Sequence, residues 1–239
     1  MLITPQNSGL DAVKAVAAGL LRTRQRITAA AATCARDVNG IRLLAVTKGQ
    51  PLDLIHAAAQ LGQVDFAESY VQEALQKRAA LPATNLVWHY IGQLQANKTR
   101  AVAENFDWVH TVDRERLARR LHQHRPHHAA ALNVCIQINI GAETGKGGIE
   151  PHELLPLAQQ IAGLSRLRLR GLMCIPPIAG RYEAQLHNFQ QLGRHLQTLR
   201  EAGFDVDTLS MGMSADLEAA IAAGATMLRV GTAIFGERQ

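Results

Sequence analysis

At 239 residues, with 47% hydrophobic and 19% charged side chains, the chain can bury one large core and is not a disordered polymer. Its net charge of +5 is spread along the sequence except in RERLARRLHQHRPHH, Arg114 to His128, a mixed-charge run without interleaved aromatics that reads as a wet helix face and its loop, not a nucleic-acid site. MLITPQNSGL has no basic n-region, and no segment approaches the ~18 apolar residues of a membrane span, so a cytoplasmic protein with neither membrane nor nucleic acid as partner is expected.

A long amphipathic helix is predicted first, from about Asp11 to Val38. After it, short apolar or β-branched runs alternate with longer segments of helical period. The predicted strands are IRLLAV from Ile41, DFAE from Asp65, LVWHYI from Leu86, DWVHTV from Asp107, LNVCIQIN from Leu132, LRLRGLMCI from Leu167, TLSMG from Thr208 and MLRVG from Met227. The helices between them are PLDLIHAAAQLG, SYVQEALQKRAA, NKTRAVAEN, DRERLARRLHQH, PHELLPLAQQIAG, a long one from Tyr182 to Ala202, and SADLEAAIAAG. Several open with Pro, Asp, Asn or Ser and close on Gly. Strict alternation without a linker or composition break predicts a closed parallel (β/α)8 barrel, one α/β domain over residues 1–239 with an extra N-terminal helix.

Cys34, Cys135 and Cys174 are far apart, odd in number and without a CxxC pair, and read as reduced core thiols. His122, His124, His127 and His128 lack ligand spacing and Cys or Asp partners, so no metal is assigned.

In such a barrel the chemistry belongs at the carboxyl ends of the strands. Lys48 follows LLAV and a Thr and precedes the turn GQP, where an ammonium can lose solvent and act as a nucleophile toward an aldehyde. The chain has five lysines, Lys14, Lys48, Lys77, Lys98 and Lys146, against twenty arginines, and a guanidinium forms no Schiff base. A snorkelling rim lysine is the plainer alternative. Two segments across the barrel add context. LSMGMSADLEAAI puts Ser210, Gly212 and Ser214 between a strand and a helix, and LRVGTAIFGE puts Arg229 at the last strand with Gly231 and Thr232 after it. The loops after strands seven and eight are where barrels of this kind bind phosphate, so a phosphorylated ligand is expected.

These segments resemble the pyridoxal phosphate homeostasis protein family, the YggS/PROSC-like PLP-binding proteins. LLAVTKGQP, DFAESYVQE, WHYIGQLQANK, QINIGAETGKGG, LRGLMCIPP, LSMGMSADLEAAI and LRVGTAIFGE follow that family's order over nearly the whole chain. The resemblance implies a TIM barrel of the fold type III, alanine racemase N-terminal domain-like kind, with pyridoxal 5'-phosphate (PLP) held as an aldimine on Lys48. It also implies that Ser210, Gly231 and Thr232, with Gly212 in the same loops, hold the phosphate and that Arg229 faces the pyridine nitrogen. Met173 and His89 line the pocket on this reading, although each is equally suited to filling the barrel. Ala67 and Ser69 depart from the family's FGENYVQE pattern, which leaves pocket detail open.

The resemblance favours a carrier or buffer of PLP over a fold type III racemase or decarboxylase. Such enzymes carry a further β-rich domain and a second acid or base, whereas this sequence stops at Gln239 and keeps Tyr70, Tyr90 and Tyr182 within the barrel. A guanidinium at 229 also accepts no proton from the ring, which weakens carbanion chemistry. A Schiff-base aldolase acting on a sugar phosphate is a third possibility. PLP-dependent apoenzymes and free amino acids are the partners expected beside PLP itself, and a monomer is expected.

Overall fold

In the computed structural model, eight parallel strands close into a barrel in chain order, with β1 hydrogen-bonded to β2 on one side and to β8 on the other. The structure describes residues 6–81, 85–141, 145 and 147–237, with side chains from residue 11 onward. The strands are β1 (Arg42–Val46), β2 (Asp65–Glu68), β3 (Val87–Tyr90), β4 (Trp108–Val112), β5 (Leu132–Gln137), β6 (Leu167–Met173), β7 (Thr208–Ser210) and β8 (Met227–Val230). Each predicted strand is present; β2 keeps its predicted bounds and the other seven are shortened at one or both ends. The helices are α1 (Gln6–Thr33), α2 (Leu52–Gln60), α3 (Val71–Ala80), α4 (Thr99–Asn105), α5 (Glu115–His124), α6 (Leu154–Ala162), α7 (Tyr182–Glu201), α8 (Leu217–Ala222) and α9 (Thr232–Phe235).

The strand faces sort by parity, since successive side chains point to opposite sides. One set packs outward under the helices as the main core, including Ala45, Phe66, Trp88, Tyr90, Val109, Leu172 and Leu228. The other set fills the barrel: Leu44, Ala67, Trp108, Cys135, Met173 and Met227 form a separate inner cluster.

The first helix ends earlier than the sequence suggests. Ala35 takes a left-handed φ of 50°, the Arg36 amide reaches back to the Ala31 carbonyl at 2.9 Å and the Ala35 amide to Ala32 at 3.1 Å. That closure satisfies the last carbonyls of α1, and it goes unsignalled because Ala stands where Gly is usual. Asp37 then caps a one-turn helix, Val38–Gly40. Cys34, at this bend, is only partly buried, so it is not the core thiol that the sequence implies, while Cys135 and Cys174 are buried.

α1 lies across the seam where the first and last strands meet, packing on α2, α8 and α9. At Gly19 the approach is so close that a Cβ would stand 2.3 Å from the Ile234 carbonyl oxygen. In the basic run, α5 buries Leu117, Ala118 and Leu121 and turns its polar face outward as expected. Arg125 breaks that pattern: it is buried and donates to the carbonyls of Ala103, Phe106 and Ala130, closing the ends of neighbouring segments. Among the described residues no helix is long and apolar enough to cross a membrane, and no cluster of three His, Cys, Asp or Glu side chains has metal-binding geometry.

Candidate functional site

β1 ends at Val46 and the chain turns immediately, so Lys48 keeps the inward parity of Leu44 and Val46 while standing at the rim. There it lines a cavity of about 240 Å³ at the carboxyl ends of the strands. Val46, Ile91, Ile175 and Met213 supply its apolar wall; Gln50, Ser214, Arg229, Gly231 and Thr232 supply the polar one. Lys48 also borders a more open cleft of about 480 Å³, shared with Ser69, Tyr70, Gln72, Gly92 and Lys98. Ser69 therefore stands at the edge of the site, whereas Ala67 is inner barrel filling.

Lys48, Arg229, Gly231 and Thr232 thus meet on one cavity, although they come from opposite ends of the sequence. The pairing of β1 with β8 explains this: Leu44 stands opposite Arg229 and Ala45 opposite Val230. Gly231 presses against the first strand, and a Cβ there would come within 3.1 Å of the Val46 carbonyl oxygen. Thr232 is exposed and opens α9, and the Ala233 amide reaches the Ser214 hydroxyl at 3.4 Å, drawing the two loops together.

Ser210, Gly212, Met173 and His89 are not among the residues lining this cavity. Met173 belongs to the inner cluster and His89 is fully buried on β3, one layer below the rim. The Gly212 carbonyl accepts the Arg229 amide at 2.9 Å, so it serves the β7–β8 connection. Ser210 is fully buried, and its hydroxyl receives a bond from Arg229 Nη1 at 2.8 Å and meets His110 Nδ1 at 2.8 Å. The inward face of β7 carries Ser210 toward the barrel axis, while the loop beyond it brings Ser214 to the cavity.

These bonds continue downward. His110 Nε2 lies 2.9 Å from His89 Nδ1, and His89 Nε2 lies 2.9 Å from Asp65 Oδ1. One proton assignment satisfies every member. Arg229 donates to Ser210, Ser210 to His110 Nδ1, His110 through Nε2–H to His89, and His89 through Nε2–H to Asp65. Both imidazoles are then neutral. Burial, the largest influence, lowers the pKa of each, His110 well below the ordinary value, and the neighbouring Arg229 charge adds to the effect on His110. A barrel interior usually holds branched aliphatic side chains, so a polar file from Asp65 to Arg229 requires another purpose than packing.

That purpose is visible in Arg229. Its guanidinium is buried, with Nη2 donating to the Cys174 carbonyl at 2.9 Å, and no carboxylate among the described residues forms an ion pair with it. Burial lowers its pKa, but a guanidinium remains charged in any folded protein. The same burial pushes the Cys135 and Cys174 thiols up to about 12, leaving them unreactive. Sequence reasoning missed His110, although DWVHTV places it two residues after Trp108 and therefore on the same inward face. It also missed Gln50, which follows a turn and follows no strand parity.

Comparison with known proteins gives concordant matches. The family described as alanine racemase, N-terminal domain, matches residues 22–239. The pyridoxal phosphate homeostasis protein of Escherichia coli is 50% identical over 226 residues, covering 93% of this chain and 97% of its own. PipY of Synechococcus elongatus, solved with PLP bound, superimposes with a TM-score of 0.79 at 34% identity, over 89% of this chain and 99% of its own. The alanine racemase of Bacillus anthracis, at 20% identity and a TM-score of 0.66, shares the fold; this chain spans 56% of its length.

Proposed function

Because the chain belongs to the pyridoxal phosphate homeostasis protein family, we propose that it binds PLP in the cavity at the barrel's carboxyl end and holds it as a carrier or buffer, with Lys48 as the covalent attachment point. The observation that carries this reading is the meeting of Lys48 with Arg229, Gly231 and Thr232 on one cavity wall.

The residues present suit the cofactor. Arg229 is a buried cation whose charge no described carboxylate pairs, with guanidinium protons beyond the two that reach Ser210 and Cys174 available to an acceptor such as a ring nitrogen. Gly231 leaves backbone where a Cβ would press on β1, and the Thr232 and Ser214 hydroxyls lie beside it, a donor set suited to a phosphate. When bound, PLP supplies an aldehyde carbon that reacts reversibly with amines. Lys48 Nζ would supply the amine, Arg229 would offer a donor that takes no proton in return, and Val46, Ile91 and Ile175 would give the reacting atoms an apolar wall.

The cavity wall favours holding over turnover. Among its described residues none carries a carboxylate, imidazole, thiol or phenol, which leaves Lys48 as the group suited to move a proton, whereas racemisation needs a second on the opposite face. Tyr90, in the adjoining cleft, donates to the Gln93 carbonyl, and burial pushes its pKa up to about 12. Apoenzymes that require PLP are the proposed receivers, and free amino acids the proposed competitors for Lys48. A monomer is proposed, and three unpaired cysteines suit the reducing cytoplasm.

The purified protein is expected to be yellow, to lose its visible band on borohydride reduction, and to carry the reduced cofactor on Lys48 by peptide mass spectrometry. A colourless protein with added PLP, or label on Lys98 or Lys146 (the latter outside the described residues), would overturn the assignment.

A further inference from the structure

Lys48 sits in a tight turn that another helix holds from behind. The Gln50 amide closes the turn on the Thr47 carbonyl at 3.0 Å, and Gly49 has a φ of 67°, a conformation that glycine takes without strain. Two side chains of α3 then bind the residues on either side of Lys48. Lys77 Nζ donates to the Thr47 carbonyl at 2.5 Å and to Glu68 Oε1 and Glu73 Oε1 at 2.6 Å each, which places all three ammonium protons. Glu73 Oε1 also accepts the Gly49 amide at 2.6 Å, and the Thr47 hydroxyl donates to Glu68 Oε1 at 2.6 Å.

Packing does not account for this cluster. The side chains of Lys77 and Glu68 are 7% and 0% exposed, and taking two such charges out of water carries a large desolvation cost, so an apolar pair of similar volume would serve stability as well or better. Glu68 Oε2 finds no hydrogen-bond donor among the described residues. What the ion cluster provides and an apolar pair does not is direction. It fixes a carbonyl before Lys48 and an amide after it, and supporting contacts of this kind hold a reacting group to a fraction of an ångström.

We propose that Lys77 and Glu73 are positioning residues for Lys48: α3 grips the peptide groups on both sides of the lysine and sets how it enters the cavity. The proposal rests on the reading of Lys48 as the PLP attachment point. Neither residue lines the cavity, so each acts through the turn.

The test uses the full ligand-free chain and its Glu73→Ala, Glu73→Gln and Lys77→Met variants. PLP is added, samples are quenched with borohydride over time, and label on Lys48 is quantified by peptide mass spectrometry alongside thermal melting. Glu73→Ala and Lys77→Met are expected to slow labelling of Lys48 about tenfold, the scale of one lost hydrogen bond to a charged group. Glu73→Gln, which keeps an oxygen for the Gly49 amide, is expected to recover most of the parental rate, a rescue that a purely structural ion pair would not give. Parental labelling rates in Lys77→Met overturn the proposal whatever Glu73→Ala does, and so does a Glu73→Gln rate no better than that of Glu73→Ala. If the parent itself is not labelled on Lys48, the attachment reading fails instead.

Discussion

Arg229 and Ser210 share a 2.8 Å hydrogen bond inside the barrel, which makes Ser210 a support for the buried cation while Thr232 remains on the cavity wall. The two hydroxyls are therefore expected to respond differently to removal. Ser210→Ala strands His110 Nδ1 and a guanidinium proton away from water and should lower stability by about 1–3 kcal/mol. Thr232→Ala should leave melting nearly unchanged and weaken PLP retention about tenfold, the scale of a lost hydrogen bond to a charged group. Thermal melting of the ligand-free variants and ultrafiltration of the loaded ones separate these outcomes. Ser210→Ala with unchanged melting but lost retention would show that its hydroxyl meets the phosphate directly.

Lys48→Ala is expected to abolish the visible absorption of the loaded protein with little loss of melting temperature. Lys48 is only partly buried at the rim, outside both apolar clusters, so its removal opens no core cavity. Absorption spectra with and without borohydride decide the matter, and a surviving reducible band would assign the cofactor to another lysine.

Stability should fall as the pH drops below the ordinary histidine value. His89 and His110 are held neutral by burial, with folded pKa values below the ordinary 6.5. The unfolded chain therefore takes up protons near that value while the folded one does not, so their contribution is complete above it and is lost as the pH falls toward the depressed folded values. Glu68 and Asp216, both pushed up by burial, act in the opposite direction. The comparison that isolates the imidazole is His110→Asn against the parent. Urea unfolding from about pH 7.5 to about pH 5 should show a shallower decline in the variant. Parallel curves would mean that His110 binds protons equally in the folded and unfolded chains, against a depressed folded value.

Turnover should be at most a trace. Incubation with L- or D-alanine is expected to exchange amines at Lys48 without appreciable inversion, because the cavity offers no second acid or base among its described residues. Chiral chromatography after long incubation measures this, and racemisation at roughly 1 to 1000 per second would refute the carrier reading. Arg229→Glu, which would favour a protonated ring nitrogen, is a poor probe here: it buries a carboxylate against the Cys174 carbonyl and should cost the fold before it reveals chemistry.

The parts legible in the sequence were those set by local period. β1 through β8 and most helices follow from alternation, and Lys48, Arg229, Gly231 and Thr232 stand out by their places at or just after strand ends. The end of α1 was hidden because Ala35 adopts the left-handed turn without the usual Gly. Ser210 was assigned to the ligand because strand ends read alike in sequence. Only the parity of β7 relative to β4 and β8 shows that its hydroxyl points to His110 and Arg229. The Lys77 contacts were half visible, since Glu73 lies one helical turn before it, but the reach to Thr47 depends on how α3 settles on β1 and β2.

α1 gives the cavity a mechanical dependence on a part of the chain that never touches it. The barrel is a hoop joined where β1 meets β8, and α1 is strapped over that join like a buckle. Gly19 rests on Ile234, two residues after Thr232 in the same short helix. Any bulk at position 19 would pry α9 away from the strap and tilt the Gly231–Thr232 backbone with it. Tension or strain in the opening helix would thus be felt at the Gly231–Thr232 end of the pocket, through a lever one helix thick.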